Sequence, residues 1–422
     1  MKAECASPKR TGRFTRPLSP NFCSSITITL IGLMLYLVPS VNAQSLTVLH
    51  TFTSVHDGAH PFGGVTLDPA GNLYGTAADG ALGYGTIFKL TRGEPSWVLT
   101  TLRRFHGSDG ADPESPLILG PDGAVYGTTR GGGQYGAGTI FRLEPMRCSG
   151  TLCPWTETVL YDFARGRDGS SPLGHLIFDQ AGRMYGTSAG MHVYAERGEG
   201  GGPPGCVWQL VHSNVSWTFQ VVHAFSNYGG DGTNPKGGVL IDRDGNLYGT
   251  TPFGGSWGWG TVFEMTPVGQ GWSEQILHSF SSMGGGGSLP EAGLVADQSG
   301  SLFGATFVGG YAFEMTLSGS VWSFNTIAGV SNADGPYSDL TIDAQGNLYG
   351  ATIDGGRYGQ GNVFQLTRSN GVWTYRNLYD FMGAEDGSQP FGSVIVDSAG
   401  AIYGTTAYGG HFGDGTVWML RQ

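Results

Sequence analysis

One short pattern, Gly-x-Leu-Tyr-Gly-Thr with small variations, returns seven times along the chain, its aromatic falling at Tyr74, Tyr126, Tyr185, Tyr248, Phe303, Tyr349 and Tyr403. Successive aromatics are 52, 59, 63, 55, 46 and 54 residues apart. A period in that range, with no helical spacing inside the unit, belongs to the blade of a β-propeller and not to a helical solenoid. Seven such units use essentially all of residues 44–422 and leave no room for a second domain. With 74 Gly and 21 Pro among 422 residues, the chain nears the disordered range of composition. Its 39% hydrophobic and 12% aromatic content, against 13% charged, is too apolar for a solvated coil and fits a packed, turn-rich, all-β protein.

A single unit resolves into four strands. Gly63 to Asp68, Asn72 to Ala77, Thr86 to Leu90 and Ser96 to Phe105 are rich in β-branched and aromatic residues and are punctuated by Gly, Asp, Asn and Pro. The turn Asp68-Pro69-Ala70-Gly71 recurs at Asp179, Asp242, Asp297, Asp343 and Asp397, where Gly supplies positive φ and Asp bonds to the turn backbone. Gly75 and its equivalents, inside a strand, predict a close approach from the next blade. The chain starts with a fourth-type strand, Leu46 to His50, and ends with a third-type strand, Thr416 to Leu420. Pairing them removes two exposed edges, so the expectation is a single seven-bladed β-propeller of four-stranded antiparallel blades, closed by its terminal strands.

Residues 1–43 read as an export signal. Lys2, Lys9, Arg10, Arg13 and Arg16 precede an apolar run of 13 residues from Ile26 to Val38, short for a membrane span, and Val41-Asn42-Ala43 suits a signal peptidase. Cleavage before Gln44 removes five basic residues and one acidic residue from totals of 22 and 33, leaving 17 against 32 and a net charge of −15. Such a surface repels phosphate backbones, so nucleic acid is excluded as a partner. The mature chain is expected to be a monomer without a membrane span, secreted, periplasmic or at the cell surface. Cys148 and Cys153 have the spacing of a small disulfide loop, as export allows. Cys206 opens a third strand after a long insertion and is expected to be free.

The recurrent Asp-x-x-Gly-Asn-Leu-Tyr-Gly-Thr, followed by Gly-Gly and Gly-Thr-Val-Phe as in Gly245 to Thr251, Gly254-Gly255 and Gly260 to Phe263, resembles the tandem GloVer (Gloeo/Verruco) repeat of exported bacterial proteins. The likeness runs over residues 45–422. The fifth unit departs from it, with Phe303 for Tyr, Ala305 for Thr and Gly309-Gly310-Tyr311 running straight into the strand. The resemblance implies a secreted or surface-associated protein and brings no catalytic residues with it.

Several motifs invite a catalytic reading and fit the repeat better. Gly254-Gly255-Ser256-Trp257-Gly258 matches a nucleophile elbow in letters only, since that elbow needs a strand-to-helix turn. Asp242-x-Asp244-Gly245-Asn246 is half a calcium loop without its later Glu and recurs as a hairpin turn. His50, His223 and His278 share one outer-strand position with Arg104, Tyr161 and Tyr379 and read as a solvated blade edge. No catalytic or metal-binding residue is assigned, and no cofactor is expected.

A ligand site is expected on the face built by two sets of loops. Those entering each first strand repeat an Asp-Gly pair at Asp57, Asp109, Asp168, Asp231, Asp334 and Asp386; those joining second strand to third carry Tyr84, Tyr135, Trp257, Trp259, Tyr358 and Phe412 before Gly. Rings that stack on sugars beside carboxylates that bind hydroxyls suit a glycan. The insertion from Ala189 to Gly205 and the loop lost before Tyr311 make that face asymmetric. The reading is therefore a binding or interaction scaffold for a glycan or an envelope protein. The alternative is a propeller hydrolase, lactonase or lyase that gathers carboxylates or calcium at the central channel.

Overall fold

Seven four-stranded antiparallel sheets follow one another along the chain in the computed structural model, which describes residues 44–422 apart from 81–82, 94–95, 147–152, 191–203, 214–215, 227–229 and 332–333. The expected export segment 1–43 and Cys148 lie outside the described residues. In the first blade Val65–Leu67, Leu73–Ala77, Thr86–Arg92 and Trp97–Arg104 run in that order from the channel outward. In the seventh, Ile395–Val396, Ile402–Thr406 and Thr416–Arg421 are completed by Ser45–Thr51 from the other end of the chain. Leu46 opposes Leu420 and Thr51 opposes Thr416, with a slip between Val48 and His50. The protein is thus a single seven-bladed propeller closed by its terminal strands, which leaves neither strand as a bare edge. The two loop sets do share a face: Gly232–Thr233 pairs with Phe253–Gly254, and isolated bridges join Ala59 to Asp79, Ala111 to Gly131, Ser288 to Val308 and Ser388 to Tyr408.

The repeat motif accounts for each blade. The turn carboxylate of Asp68 accepts from the amides of Ala70 (2.9 Å) and Asn72 (2.8 Å) and from the Asn72 side chain (2.7 Å), and the hydroxyl of Tyr74 donates to it at 3.3 Å. Asp242 is occupied in the same way by Asp244, Asn246 and Tyr248, which makes it a turn carboxylate. The motif's aromatic is therefore Tyr because its ring packs between blades while its hydroxyl closes the hairpin.

The close approach to Gly75 comes from within its own blade: a Cβ there would lie 2.4 Å from the ring of Phe88, its direct cross-strand partner. Trp208 and Trp418 cover Gly186 and Gly404 likewise. The far edges of these rings cover bare backbone, and the rings pack with side chains of the neighbouring blade, as Phe88 does in a cluster with Phe52, Val65, Leu73, Tyr403, Val417 and Met419. Cys153 is disulfide-bonded. Cys206 is a free, buried thiol whose pKa burial pushes up to about 12, which removes it as a nucleophile.

Candidate functional site

Each loop that enters a blade crosses the face from the outer strand to the channel, and its inner end is pinned to the preceding blade. The residue before a proline takes a left-handed conformation in six of these loops: His60, Asp112, Ser171, Asn234, Leu289 and Gln389 have φ between 53° and 59°. Their amides donate to carbonyls of the preceding blade, as Ser171 does to Ala137 (2.9 Å) and Leu289 to Trp259 (3.0 Å). The proline that follows packs on a positive-φ glycine there. A Cβ on Gly260 (φ 105°) would meet Pro290 Cδ at 2.6 Å, so only glycine fits. The motif's Thr adds a third tie. Thr128, Thr187, Thr250 and Thr405 donate their hydroxyls to Pro172, Gly237, Ala292 and Pro61 carbonyls of the next blade at 2.8, 2.9, 2.5 and 2.7 Å. Strained backbone held this firmly fixes the side chains that follow it.

Those side chains surround a cavity of about 330 Å³ at the channel mouth. The position after each proline brings in Phe62, Glu114, Leu173, Lys236, Glu291, Tyr337 and Phe391, and two residues further on stand His175 in the third blade and Asp339 in the sixth. The mouth has two unlike halves. On one side Tyr337, Phe391 and Phe62 form a chain of edge-to-face rings, with centroids 5.5 Å and 5.1 Å apart, and Tyr408 joins it at 6.3 Å from Phe62. On the other side Lys236 Nζ lies 2.6 Å from Glu291 Oε2, and the Arg130 guanidinium lies 2.9 Å from Glu114 Oε1. Lys236 also stands 5.5 Å over the Tyr337 ring and so touches both halves.

A half-buried ion pair spans the same cavity. His175 Nδ1 and Asp339 Oδ2 are 2.6 Å apart, and Asp339 Oδ1 accepts from the Gly293 amide at 2.5 Å. A Cβ on Gly238 would lie 2.5 Å from His175 Nδ1, so the pair rests on bare glycine backbone. Burial pulls the His175 pKa down, yet the Asp339 charge and hydrogen bond, with a bond to the Val239 backbone, hold the imidazole above its usual range. Burial pushes Asp339 up, but His175 and the Gly293 amide keep it below the ordinary carboxylate range. Burial prevails at Glu291 and Glu114, whose pKa values stay raised despite Lys236 and Arg130. With its ring bound to Asp339 and to the Val239 backbone, His175 acts as a charged strut.

None of the twelve residues expected to bind ligand lines this cavity. The Asp-Gly carboxylates sit at the outer ends of the same loops and cap them: Asp57 accepts from Thr53 and pairs with His50 (2.9 Å), Asp168 accepts from Ala164 (2.6 Å), Asp231 from Ser226 (2.7 Å) and Asp386 from Met382 (2.9 Å). Asp109 is held by the His106 amide and by Arg103, while Asp334 is half-buried, its pKa raised by burial and by Asp354. Tyr84, Tyr135, Trp257, Tyr358 and Phe412 are exposed, Trp257 by 67%, whereas Trp259 packs partly buried against the hydrophobic cluster that contains Val262 and Phe280. The signal for the channel residues was the aligned prolines Pro61, Pro113, Pro172, Pro235, Pro290, Pro336 and Pro390, each followed by a residue that changes from blade to blade.

The chain matches the Gloeobacter/Verrucomicrobia repeat family over residues 34–198 and 191–418, and it belongs to that family. No functionally curated protein matches it in sequence. Among solved structures it is similar to virginiamycin B lyase from Staphylococcus aureus, with 13% identity, 90% of this chain and 99% of that one covered, and a TM-score of 0.54. It is also similar to a gluconolactonase from Xanthomonas campestris, with 11% identity, 89% of each chain covered and a TM-score of 0.43. At these identities the likeness is one of fold.

Proposed function

We propose that this repeat-family propeller is an exported binding protein whose channel mouth takes a small ligand with one apolar face and a hydrogen-bonding edge, a sugar unit or glycan end in chemical class. The two-sided cavity carries the reading. The rings of Phe62, Phe391 and Tyr337 offer a stacking wall, and Lys236, Glu291 and Glu114 face it with donors and acceptors for hydroxyls. Each of those charges already has a counter-ion in the protein, which suits a preorganised binding surface better than a reactive one. The basic leader, the acidic mature chain and the bonded Cys153 support export. Among the described residues no helix is long and apolar enough to cross a membrane.

A second reading, a lactonase or lyase, is favoured by one observation: two carboxyl groups, Glu114 and Glu291, line the same cavity, where burial raises their pKa values. Calorimetry and turnover assays on one panel of monosaccharides, oligosaccharides and sugar lactones separate the two. Saturable binding without turnover, weakened about tenfold or more by Phe391→Ala, supports the binding protein. Turnover lost in Glu291→Gln supports the enzyme. No saturable binding to any member would sink the sugar reading.

A further inference from the structure

At four of the seven junctions the outer strands of neighbouring blades meet through a repeat-encoded pair, which takes three chemical forms there. One partner lies two residues before the strand-end Phe, the other two residues after the outer-strand Trp of the next blade. At the third-to-second and fifth-to-fourth junctions the pair is a flat ring stack, Tyr161 on Phe219 and His278 on Phe324, both with centroids 3.9 Å apart. Between the first and second blades it is ionic: the Arg103 guanidinium lies 2.7 Å from Glu157 and also bonds the loop carboxylate of Asp109. Between the third and fourth blades the two carboxylates are retained as Glu274 and Asp231, and His223 takes the place of Arg103.

That replacement alters the chemistry. An arginine supplies a fixed cation with several donors, whereas His223 presents one nitrogen to two carboxylates. His223 Nε2 is 3.4 Å from Asp231 Oδ2 and 3.5 Å from Glu274 Oε2, beyond a normal hydrogen bond to either. His223 Nε2 and Glu274 Oε1 are buried with no hydrogen-bond partner among the described residues. The three ligand atoms all lie within 4.8 Å of one another. Two ligands each about 2.1 Å from a tetrahedral ion stand about 3.4 Å apart, the separation the imidazole keeps from both carboxylates.

We propose that His223, Asp231 and Glu274 form a binding site for a divalent transition metal ion of the zinc class, with a fourth position left to water. One imidazole and two carboxylates suit zinc, whereas calcium takes six to eight oxygens and has no use for the imidazole. The backbone supports the ligands. Asp231 is oriented by the amides of Ser226 and Gly232, each at 2.7 Å, and His223 packs edge-on against Phe225 at 4.8 Å. The three side chains keep 23%, 12% and 17% exposure. The site joins the outer strands of two blades, so the ion would clamp the third and fourth blades as Arg103 clamps the first and second.

The test titrates the chelator-treated protein with ZnCl₂ against a chromophoric competitor, counts equivalents bound, and repeats this for His223→Arg and Glu274→Gln. The protein is expected to bind one strong equivalent, and its melting temperature should rise with zinc. His223→Arg should lose that equivalent while melting no lower than the zinc-free protein, because Arg103 shows that this junction accepts arginine. Glu274→Gln should weaken binding by more than the roughly 10- to 100-fold that an outer-shell partner is worth. A Co²⁺ titration reads the geometry through the intensity of its visible bands. Failure of the protein to bind zinc, or retention of the strong equivalent by both variants, overturns the site.

Discussion

The two halves of the channel mouth are held by different physics. Loops entering the second to fifth blades carry Glu114, Lys236 and Glu291, and each is tied to the preceding blade by a Thr hydroxyl, from Thr76 to Thr250. The aromatic loop of Phe62 keeps its tie, from Thr405, whereas the loops entering the sixth and seventh blades carry Tyr337 and Phe391, and the tying positions behind them are Ala305 and Ala351. Rings replace the tie there: Tyr337 packs on Phe307 at 5.9 Å and on Phe391 at 5.5 Å. Desolvated charges lose heavily when geometry slips, so their loops need directional anchors. Apolar contacts are non-directional and tolerate a small shift. The charged half therefore reads as the rigid part of the site, and the Tyr337 and Phe391 loops of the aromatic half as the adaptable part.

The comparison breaks most visibly at Lys236. Its side chain is 9% exposed and its partner Glu291 6%, so Lys236→Met would strand a buried carboxylate and should cost about 3 kcal/mol, measured as a shift in urea midpoint at neutral pH. Glu291 already has a raised pKa, and losing Lys236 raises it further. A group whose folded pKa lies above its unfolded value destabilises the fold at high pH and ceases to do so below the unfolded pKa. The deficit should thus shrink as pH falls towards about 4.5. A deficit that does not change with pH would mean lost packing and not stranded charge. Phe391→Ala in the other half should show no such pH dependence.

The strut across the channel should give the next largest effect. His175 has a raised folded pKa, so its contribution is complete below about pH 6.5 and is lost as pH rises through the folded value; Asp339, with a lowered one, contributes above about pH 3.8 and loses this as pH falls through its folded value. The pair is worth most between those limits. Asp339→Asn should cost about 2 kcal/mol near pH 6 and move the His175 titration, followed by NMR of the ring protons, downward, because only the bond to the Val239 backbone then opposes burial. An unchanged His175 titration would show that Asp339 does not set the charge.

The propeller was legible in the sequence because its causes are local and repeated. Asp68 needs Gly71 and Asn72 beside it to close a turn and Tyr74 six residues on to bond it, and that Asp–Tyr bond recurs in five blades, with Asp122 and Tyr126 serving in the second and Phe303 lacking the hydroxyl in the fifth. The ring closure was legible for a similar reason: a spare outer strand at one end and a missing one at the other had a single economical solution. The face of the loops could also be derived, since antiparallel order sends both sets to one end. What stayed hidden was which end of each entering loop reaches the channel. The Asp-Gly pairs repeat in six of the seven entering loops because they serve folding: Asp57, Asp168 and Asp386 cap their loops. The varying residues after the prolines define the mouth. His175 and Asp339, 164 residues apart, meet only through the circle of the fold.

The smallest expected effect sharpens the comparison from both sides. Thr250→Val keeps the volume of the buried side chain and removes only its hydroxyl, leaving the Ala292 carbonyl without its 2.5 Å donor, so it should cost about 1 kcal/mol. Ala351→Thr makes the opposite change in the adaptable part. Thr occupies the matching position in five blades, so the backbone there accommodates the hydroxyl, and the entering loop of the seventh blade should gain a tie worth under about 1 kcal/mol. The informative readout is exchange of the amides on either side of Phe391. If the Phe391 loop is adaptable because it lacks that tie, Ala351→Thr should slow their exchange towards the rates around Glu291. Exchange equally slow in both halves of the unaltered protein would show that ring packing alone makes the aromatic loops rigid, and the distinction between the halves would reduce to charge.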